Sequence, residues 1–548
     1  MENLKIIYDN KEYVYSEGTT LLDISKDFCD RYKERIIVGE INGRLCELNT
    51  QITNNSRIDF FDLTTSIGNK VYESGIIFLL SVAFYNVFKC DIEVKYSIDK
   101  GIYIKTFKRI NEESLKKVEK EMNSIIEKDL PIEKILVSRI DAIDYYKKLE
   151  RYDKVNILKY SVNTNVNLYR IQNLYDYYFS YLPISTGYIK DFKLTLIDGH
   201  SFVLRYPNIY TKTKIPKYIH HDKLFNEFKK YDSWCERLNI NNVSSLNKIV
   251  SNGKIEDIIL LSEKMQNNEM YEISKDIKTN KNVKIILMAG PSSSGKTTSS
   301  KKLELYLKGF GYNPVAISMD DYFIEREKTP RLEDGSYDFE SVNAIDISLF
   351  NKDLQKLLEG QSVKIPTYNF ITGKREYIND SLKLKENDII IIEGLHALNE
   401  KLTYSIPREK KYKIYLCPLT VLNLDNHNRI KTTDNRLLRR IIRDSRTRGY
   451  SAEDTLLSWD KVRIGEEKHV FPFQDEADAI LNTSLVYELG VLKTYAEPLL
   501  FSVDEDSDVY KEAIRLLNLL KNILPIPDNF IPRDSILREF IGDSYFNV

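Results

Sequence analysis

Hydrophobic and polar positions change period several times along the chain, and each change marks a different kind of element. Near the start, Ile6 and Tyr8, then Tyr13 and Tyr15, alternate with polar neighbours around Asp9-Asn10. Period two on both sides of a polar turn predicts a hairpin. Thr19 or Thr20 is placed to cap a helix with apolar positions Leu21, Leu22, Ile24 and Phe28. Asn42-Gly43 is a hairpin signal between 38–41 and Leu45, and 57–61 closes the unit as a strand. Residues 1–63 thus read as a small β-rich unit. Residues 68–210 form a second segment, opening with the longest apolar stretch, 75–88, which Ser81 and Asn86 interrupt. A bilayer takes about 20 apolar residues, so this run predicts a core helix. A charged helix is predicted near 111–128, and 197–206 reads as a hairpin turning at Asp198-Gly199. Residues 211–280 are charged and mostly helical in pattern, and read as a connector.

From Lys281 the texture changes. Residues 284–289, 314–318 and 388–392 are near-continuous apolar runs, the pattern of buried parallel strands. Helix-compatible segments lie between them, so 281–548 is expected to be an α/β unit with a parallel sheet flanked by helices.

Composition narrows this picture only slightly. At 548 residues the chain is too long for one core. Basic and acidic residues number 80 and 81, which gives no global drive toward nucleic acid or anionic membrane. The cysteines, Cys29, Cys46, Cys90, Cys235 and Cys417, are odd in number and have no C-x-x-C spacing. Free thiols in a reducing compartment are the expectation. The N-terminus lacks the apolar core of a signal peptide, so a soluble, cytoplasmic protein without membrane partners is expected.

The sharpest chemical signal is G-P-S-S-S-G-K-T at 290–297, the full G-x-x-x-x-G-K-[ST] phosphate loop. Gly290, Pro291, Ser292, Ser293, Ser294 and Gly295 curl the backbone so that its N–H groups face phosphate oxygens. Lys296 supplies a charge for the β- and γ-phosphates, and Thr297 a hydroxyl for Mg2+. Thr298 opens the helix-compatible run that follows, whose positive dipole end favours the same anion. The preceding apolar strand is the context the motif requires. Glu393 ends the 388–392 run and is placed to reach the same Mg2+. ATP and Mg2+ are therefore the expected cofactors.

Phosphate loops serve GTPases, motor ATPases and small-molecule kinases. A GTPase needs N-K-x-D, and Asn351-Lys352-Asp353-Leu354 ends in leucine. A kinase needs an acid near the acceptor hydroxyl and cations over the transferring phosphoryl group. Asp320, in Ser318-Met-Asp-Asp-Tyr-Phe323, follows the second strand of the α/β unit. Arg436, Arg439, Arg440, Arg443, Arg446 and Arg448 form a dense cluster suited to a closing lid.

These residues resemble the uridine kinase and phosphoribulokinase family over about 282–500. The resemblance places Asp320 as catalytic base and Phe323 beside the acceptor. It places Glu340, within Tyr337–Asp346, against ribose hydroxyls. Tyr368, in Pro366-Thr-Tyr-Asn-Phe370, approaches the base. Glu393-Gly394 matches the family's strand-end acid, and Arg440, Arg443 and Arg448 match its arginine lid, with Arg440 also reaching the substrate. The family's nucleoside-binding histidine falls at Gly373, and an arginine after its R-G pair falls at Tyr450. The implied activity is γ-phosphoryl transfer from ATP to the 5′-hydroxyl of a nucleoside, uridine or cytidine first, or else to a non-nucleoside polyol.

Residues 1–63 resemble a TGS-type ubiquitin-like β-grasp domain. Residues 68–210 resemble the editing-associated α+β domain of threonyl-tRNA synthetase, through Gly101-Ile-Tyr103 and Ser185-Thr-Gly187-Tyr188. That domain's zinc ligands fall near Ser74 and Phe78 and within 182–186, where no His or Cys stands, so the resemblance implies the fold without editing chemistry. The alternative is an ATP-dependent binding protein that senses RNA or a small ligand, against which stands the lack of a basic stripe within 1–210. Self-association into a homo-oligomer is compatible with this reading.

Overall fold

The computed structural model describes residues 3–211, 213–331, 335, 337–339, 341–369, 372–378, 380–420 and 422–547. In the first unit β1 (Asn3–Tyr8) and β2 (Lys11–Ser16) pair antiparallel, and Asp9 and Asn10 between them both take positive φ, 51° and 57°. That is the tight turn whose twist matches a hairpin. Thr20 caps α1 (Leu21–Lys26), accepting the Asp23 N–H. Phe28 lies beyond the helix end but is buried, so its hydrophobic role holds while its helical placement does not. The turn at Asn42-Gly43 joins β3 (Ile36–Ile41) to β4 (Arg44–Cys46), and β5 (Ser56–Asp62) runs parallel to β1 in a sheet ordered β2-β1-β5-β3-β4.

The next element, α2 (Ser66–Phe88), begins earlier than the apolar run because Thr65 caps it, accepting the Gly68 N–H. Its apolar window would suit a membrane by length and composition, but 67% of that window is buried inside the protein. Around it come β6 (Ile92–Ile98), β7 (Gly101–Thr106), α3 (Glu112–Glu127), β8 (Glu133–Ser138), α4 (Arg139–Lys148) and α5 (Tyr152–Lys159). After them follow β9 (Asn165–Ile171), β10 (Leu174–Asp176), β11 (Lys193–Asp198) and β12 (Ser201–Arg205). They form two antiparallel sheets, β11-β12-β7-β6 and β10-β9-β8.

The segment read as a connector is helical: α6 (Asp222–Arg237), α7 (Val243–Ser251) and α8 (Ile255–Thr279). It does not stand apart from the core. Phe225, Phe228, Cys235, Leu246 and Ile259 are buried in the cluster that continues into the C-terminal sheet, and Phe228 stacks on Tyr96 at 3.8 Å. The apolar stripes of these helices are diluted by charge in the sequence, which disguises how much they bury.

The C-terminal unit runs β13 (Ile285–Ala289), α9 (Lys296–Gly309), β14 (Asn313–Ser318), α10 (Ile347–Leu358), then the short strands β15 (Val363–Lys364), β16 (Thr367–Asn369), β17 (Lys374–Glu376) and β18 (Ser381–Leu382). It continues through β19 (Asp388–Glu393), β20 (Lys411–Cys417), α11 (Thr432–Arg448), α12 (Ala452–His469), β21 (Ala479–Asn482), α13 (Glu488–Phe501), α14 (Tyr510–Leu520) and α15 (Arg538–Ile541). The sheet is ordered β14-β19-β13-β20-β21 with every pairing parallel. All residues of β13 and β20 are buried, as the continuous apolar pattern requires.

The loop between β20 and α11 docks on the second unit. Asn423 donates to the Val94 and Lys95 carbonyls, both at 2.8 Å, while Arg429 and Lys431 pair with Glu73 at 3.0 and 2.8 Å. Buried Lys154 bridges Asp176 (2.7 Å) and Asp425 (3.0 Å). All described cysteines are free, and no metal-binding cluster of His, Cys, Asp or Glu occurs among the described residues.

Candidate active site

The phosphate loop occupies the carboxyl end of β13, where open parallel sheets bind ligands. Two glycines are sterically required there. A Cβ on Gly290 would lie 2.4 Å from the Leu416 carbonyl oxygen of β20, and Gly295 takes φ +79°. Lys296 begins α9, and its ammonium donates to the Gly290 and Pro291 carbonyls at 3.0 and 3.2 Å. Burial lowers its pKa, opposed by the carboxylates of Glu393 and Glu539.

Thr297 and Glu393, the pair expected at the metal, meet: Thr297 Oγ1 donates to Glu393 Oε1 at 3.4 Å. A hydroxyl and a carboxylate are hard oxygen donors of the kind Mg2+ takes. Ser318 at the end of β14 stands in register with Glu393, so Asp320 projects from the same edge two residues on. Gly394 lets the chains touch there, since a Cβ on it would meet Met319 Sδ at 2.6 Å. Asp320 is open to solvent yet hemmed in by protein on most sides. Loss of surrounding water raises its carboxyl pKa, Lys296 and Arg448 pull it down, and neighbouring Asp321 adds to the rise. Glu393 is raised the same way: burial dominates, Lys296 opposes it, and the charges of Glu539 and Asp320 add to it. Lys296, Thr297, Glu393 and Asp320 therefore share one electrostatic neighbourhood.

Among the residues expected at the acceptor, Phe323 packs on Tyr368 with ring centroids 5.5 Å apart and edge-on to Phe339 at 6.2 Å. Asp321 accepts the Tyr368 N–H at 3.2 Å, tying β16 to the Asp320 turn. Arg375 pairs with Asp346 at 2.9 Å, and Asp346 also caps α10 through the Leu349 N–H. Glu340 and Phe370 lie outside the described residues. The near-match to a GTPase motif is a helix segment: Asn351 sits in α10 with its amide donating to the Ile347 and Leu402 carbonyls.

The arginine cluster divides in a way spacing alone does not reveal. Arg436 and Arg439 are fully buried and paired with Glu466 and Glu488. They brace the loop, Arg436 donating to the Ser292 carbonyl at 3.0 Å and Arg439 to the Ser293 carbonyl at 3.4 Å. The expectation that Arg436 and Arg439 belong to a closing lid is thereby corrected, because both turn inward to buried carboxylates. Arg440 donates to Ser292 Oγ at 2.8 Å. Asp444, itself buried, gathers Arg440 (3.2 Å), Arg443 (2.8 Å) and Arg448 (3.5 Å).

The sequence profile of the "Phosphoribulokinase / Uridine kinase family" matches residues 285–487. A uridine kinase of Borrelia duttonii (strain Ly) is 32% identical over 205 residues, 36% of this chain and 86% of that protein. The chain belongs to the phosphoribulokinase/uridine kinase family. Uridine-cytidine kinase B of Dictyostelium discoideum is 29% identical over 199 residues, 36% of this chain and 73% of that one. A threonine–tRNA ligase of Carboxydothermus hydrogenoformans is 27% identical over 195 residues, 35% of this chain but only 31% of the ligase.

This family member has features that no motif announces. Glu466 accepts the Ser292 N–H at 2.7 Å from 174 residues away. Glu539 accepts the Thr298 N–H at 3.1 Å from 241 residues away. Asp444 was legible in principle, since it stands at i+4 from Arg440 and i−4 from Arg448. At the two departures from uridine kinases, Gly373 takes φ +69° with the Arg326 side chain laid against it, and Tyr450 is exposed. At the positions where the synthetase resemblance expects zinc ligands, Phe78 packs against Tyr178 at 5.5 Å and Ser74 donates to the Lys70 carbonyl of its own helix.

Proposed function

We propose that the protein is an ATP-dependent kinase that transfers the γ-phosphoryl group to the 5′-hydroxyl of a nucleoside, with uridine and cytidine as the first acceptors. The observation that carries this reading is the gathering of Lys296, Thr297, Glu393 and Asp320 at one sheet edge, where the charge of Lys296 acts on both carboxylates. The amides of 290–298 hold the phosphates, with Lys296 turning from its loop carbonyls toward them. Thr297 and Glu393 would hold Mg2+, which offsets phosphate charge when bound. Asp320 takes the proton from the acceptor hydroxyl, a task its raised pKa suits. Phe323 and Tyr368 present an aromatic wall to the acceptor. Arg440, Arg443 and Arg448, kept in order by Asp444, face the charge spread over the phosphoryl oxygens.

One observation favours a second acceptor class. Gly373 stands where the resemblance puts a base-reading histidine, and the Arg326 side chain lies against it, an arrangement that suits a sugar or polyol acceptor. For the N-terminal units we infer a TGS-like fold and an editing-like fold without zinc, which the partial match to a threonine–tRNA ligase supports. Phosphate transfer from ATP to a panel of nucleosides and polyols tests the whole reading. ATP turnover stimulated by a nucleoside supports it; turnover stimulated only by RNA contradicts it.

A further inference from the structure

We propose that residues 532–541 are a strap that closes the nucleotide site and must leave before ATP can enter, an inference that rests on the phosphate-loop reading above. The Glu539 carboxylate accepts the Thr298 N–H at 3.1 Å. First-turn amides of the helix after a phosphate loop are the donors a phosphate oxygen uses. Two anions cannot share that amide, so Glu539 holds the place of a phosphate. Ile536 seals the neighbouring surface: a Cβ on Gly295 would lie 2.4 Å from Ile536 Cγ2. Ile536, Leu537 and Phe540 are wholly buried, so the strap is packed against the site and not draped over it.

The strap also reaches the machinery on either side. Asp534 pairs with Lys302 of α9 at 3.4 Å. Arg446 of α11 donates to the Glu539 carbonyl at 2.8 Å and the Phe540 carbonyl at 3.2 Å. The helix that carries Arg440, Arg443 and Arg448 is thus fastened to the phosphate helix through this segment. Arg538 anchors the strap to its own base, donating to the Asp528 and Ile531 carbonyls at 2.8 and 3.0 Å. The Glu539 charge reaches Lys296 and Glu393 as well. Release of the strap therefore frees the amide, the loop surface and the arginine helix together.

The test titrates Mg·ATP into the full-length wild type, Glu539→Gln and Ile536→Ala by calorimetry, with Lys296→Ala as loop control. Amide hydrogen exchange over 532–542 is followed with and without ATP. The strap predicts ATP affinity about fivefold or more higher in Glu539→Gln, and faster wild-type exchange across the strap when ATP is bound. Affinity unchanged or weakened in both strap variants, with exchange unaltered by ATP, overturns the strap and leaves the phosphate-loop reading standing. ATP binding absent from every form, or surviving Lys296→Ala, overturns the phosphate-loop reading and the strap with it. If Glu539→Gln fails to fold, Ile536→Ala and the wild-type exchange decide.

Discussion

The junction around the 423–431 loop and the carboxyl edge of the parallel sheet both gather carboxylates and cations, but they settle charge in opposite directions. At the junction Lys154 bridges Asp176 and Asp425, Arg151 pairs with Asp91 (2.9 Å) and Asp153 (3.2 Å), and His427 lies between Asp176 (2.5 Å) and Asp91 (2.8 Å). Burial works against the charges of Lys154, Asp176, Arg151, Asp91, Asp153 and His427, and the partners outweigh it. Asp91 is held down at about 2, Asp176 well below the carboxylate range, and His427 is lifted to about 9. At the sheet edge loss of surrounding water wins instead, so the carboxyls of Asp320 and Glu393 are raised and Lys296 is lowered. The junction is finished by the protein's own side chains. The sheet edge is left short of compensating charge, the condition of groups that await a charged substrate.

The comparison breaks first at Asp320. Asp320→Asn should lower kcat by about 10²–10⁴-fold while moving unfolding free energy by under about 0.5 kcal/mol, because the side chain is exposed. Steady-state kinetics and urea unfolding measure both, and a near-normal rate removes the base assignment. Asp176→Ala should do the reverse. It leaves Lys154 and His427 buried with one carboxylate fewer each, and should destabilise by about 3–5 kcal/mol. A loss under about 1 kcal/mol would make the junction an ordinary surface.

Glu393→Gln sharpens the site half of the comparison. The Mg2+ concentration for half-maximal rate should rise about 10- to 100-fold with stability little changed, and an unaltered requirement would detach Glu393 from the metal. The smallest effects are those of pH. His427 has a folded pKa above its unfolded value of about 6.5, so its stabilisation is complete below that value and lost as pH rises through about 9. Unfolding midpoints across that window should fall in the wild type and flatten in His427→Gln. Asp320 must be ionised to act, so kcat/KM should decline as pH falls through a pKa above the ordinary carboxylate value. An acid limb at or below that value would contradict the raised pKa.

The sheet edge was far more legible in the sequence than the junction, for a physical reason. The phosphate loop, the strand-end Glu393 and the Asp320 turn are local patterns, because close backbone approach and strand ends impose residue types at fixed spacings. Hairpin turns at Asp9-Asn10 and Asn42-Gly43 are legible on the same grounds. Lys154, Asp176, Asp425 and His427 are charged residues scattered over long separations, and period and propensity assign such residues to solvent. Arg436 and Arg439 were misplaced likewise: their partners Glu466 and Glu488 are 30 and 49 residues away. Glu539, a terminal acid that reaches Thr298, carries no local signal at all.

The most direct measurement is the fate of the γ-phosphoryl group of ATP, followed by mass spectrometry of the acceptor in wild type and Asp320→Asn. The account predicts a 5′-monophosphate of a pyrimidine nucleoside, formed only with Lys296 and Asp320 intact. ATP hydrolysis that no nucleoside or polyol stimulates, and that Asp320→Asn leaves untouched, would contradict it.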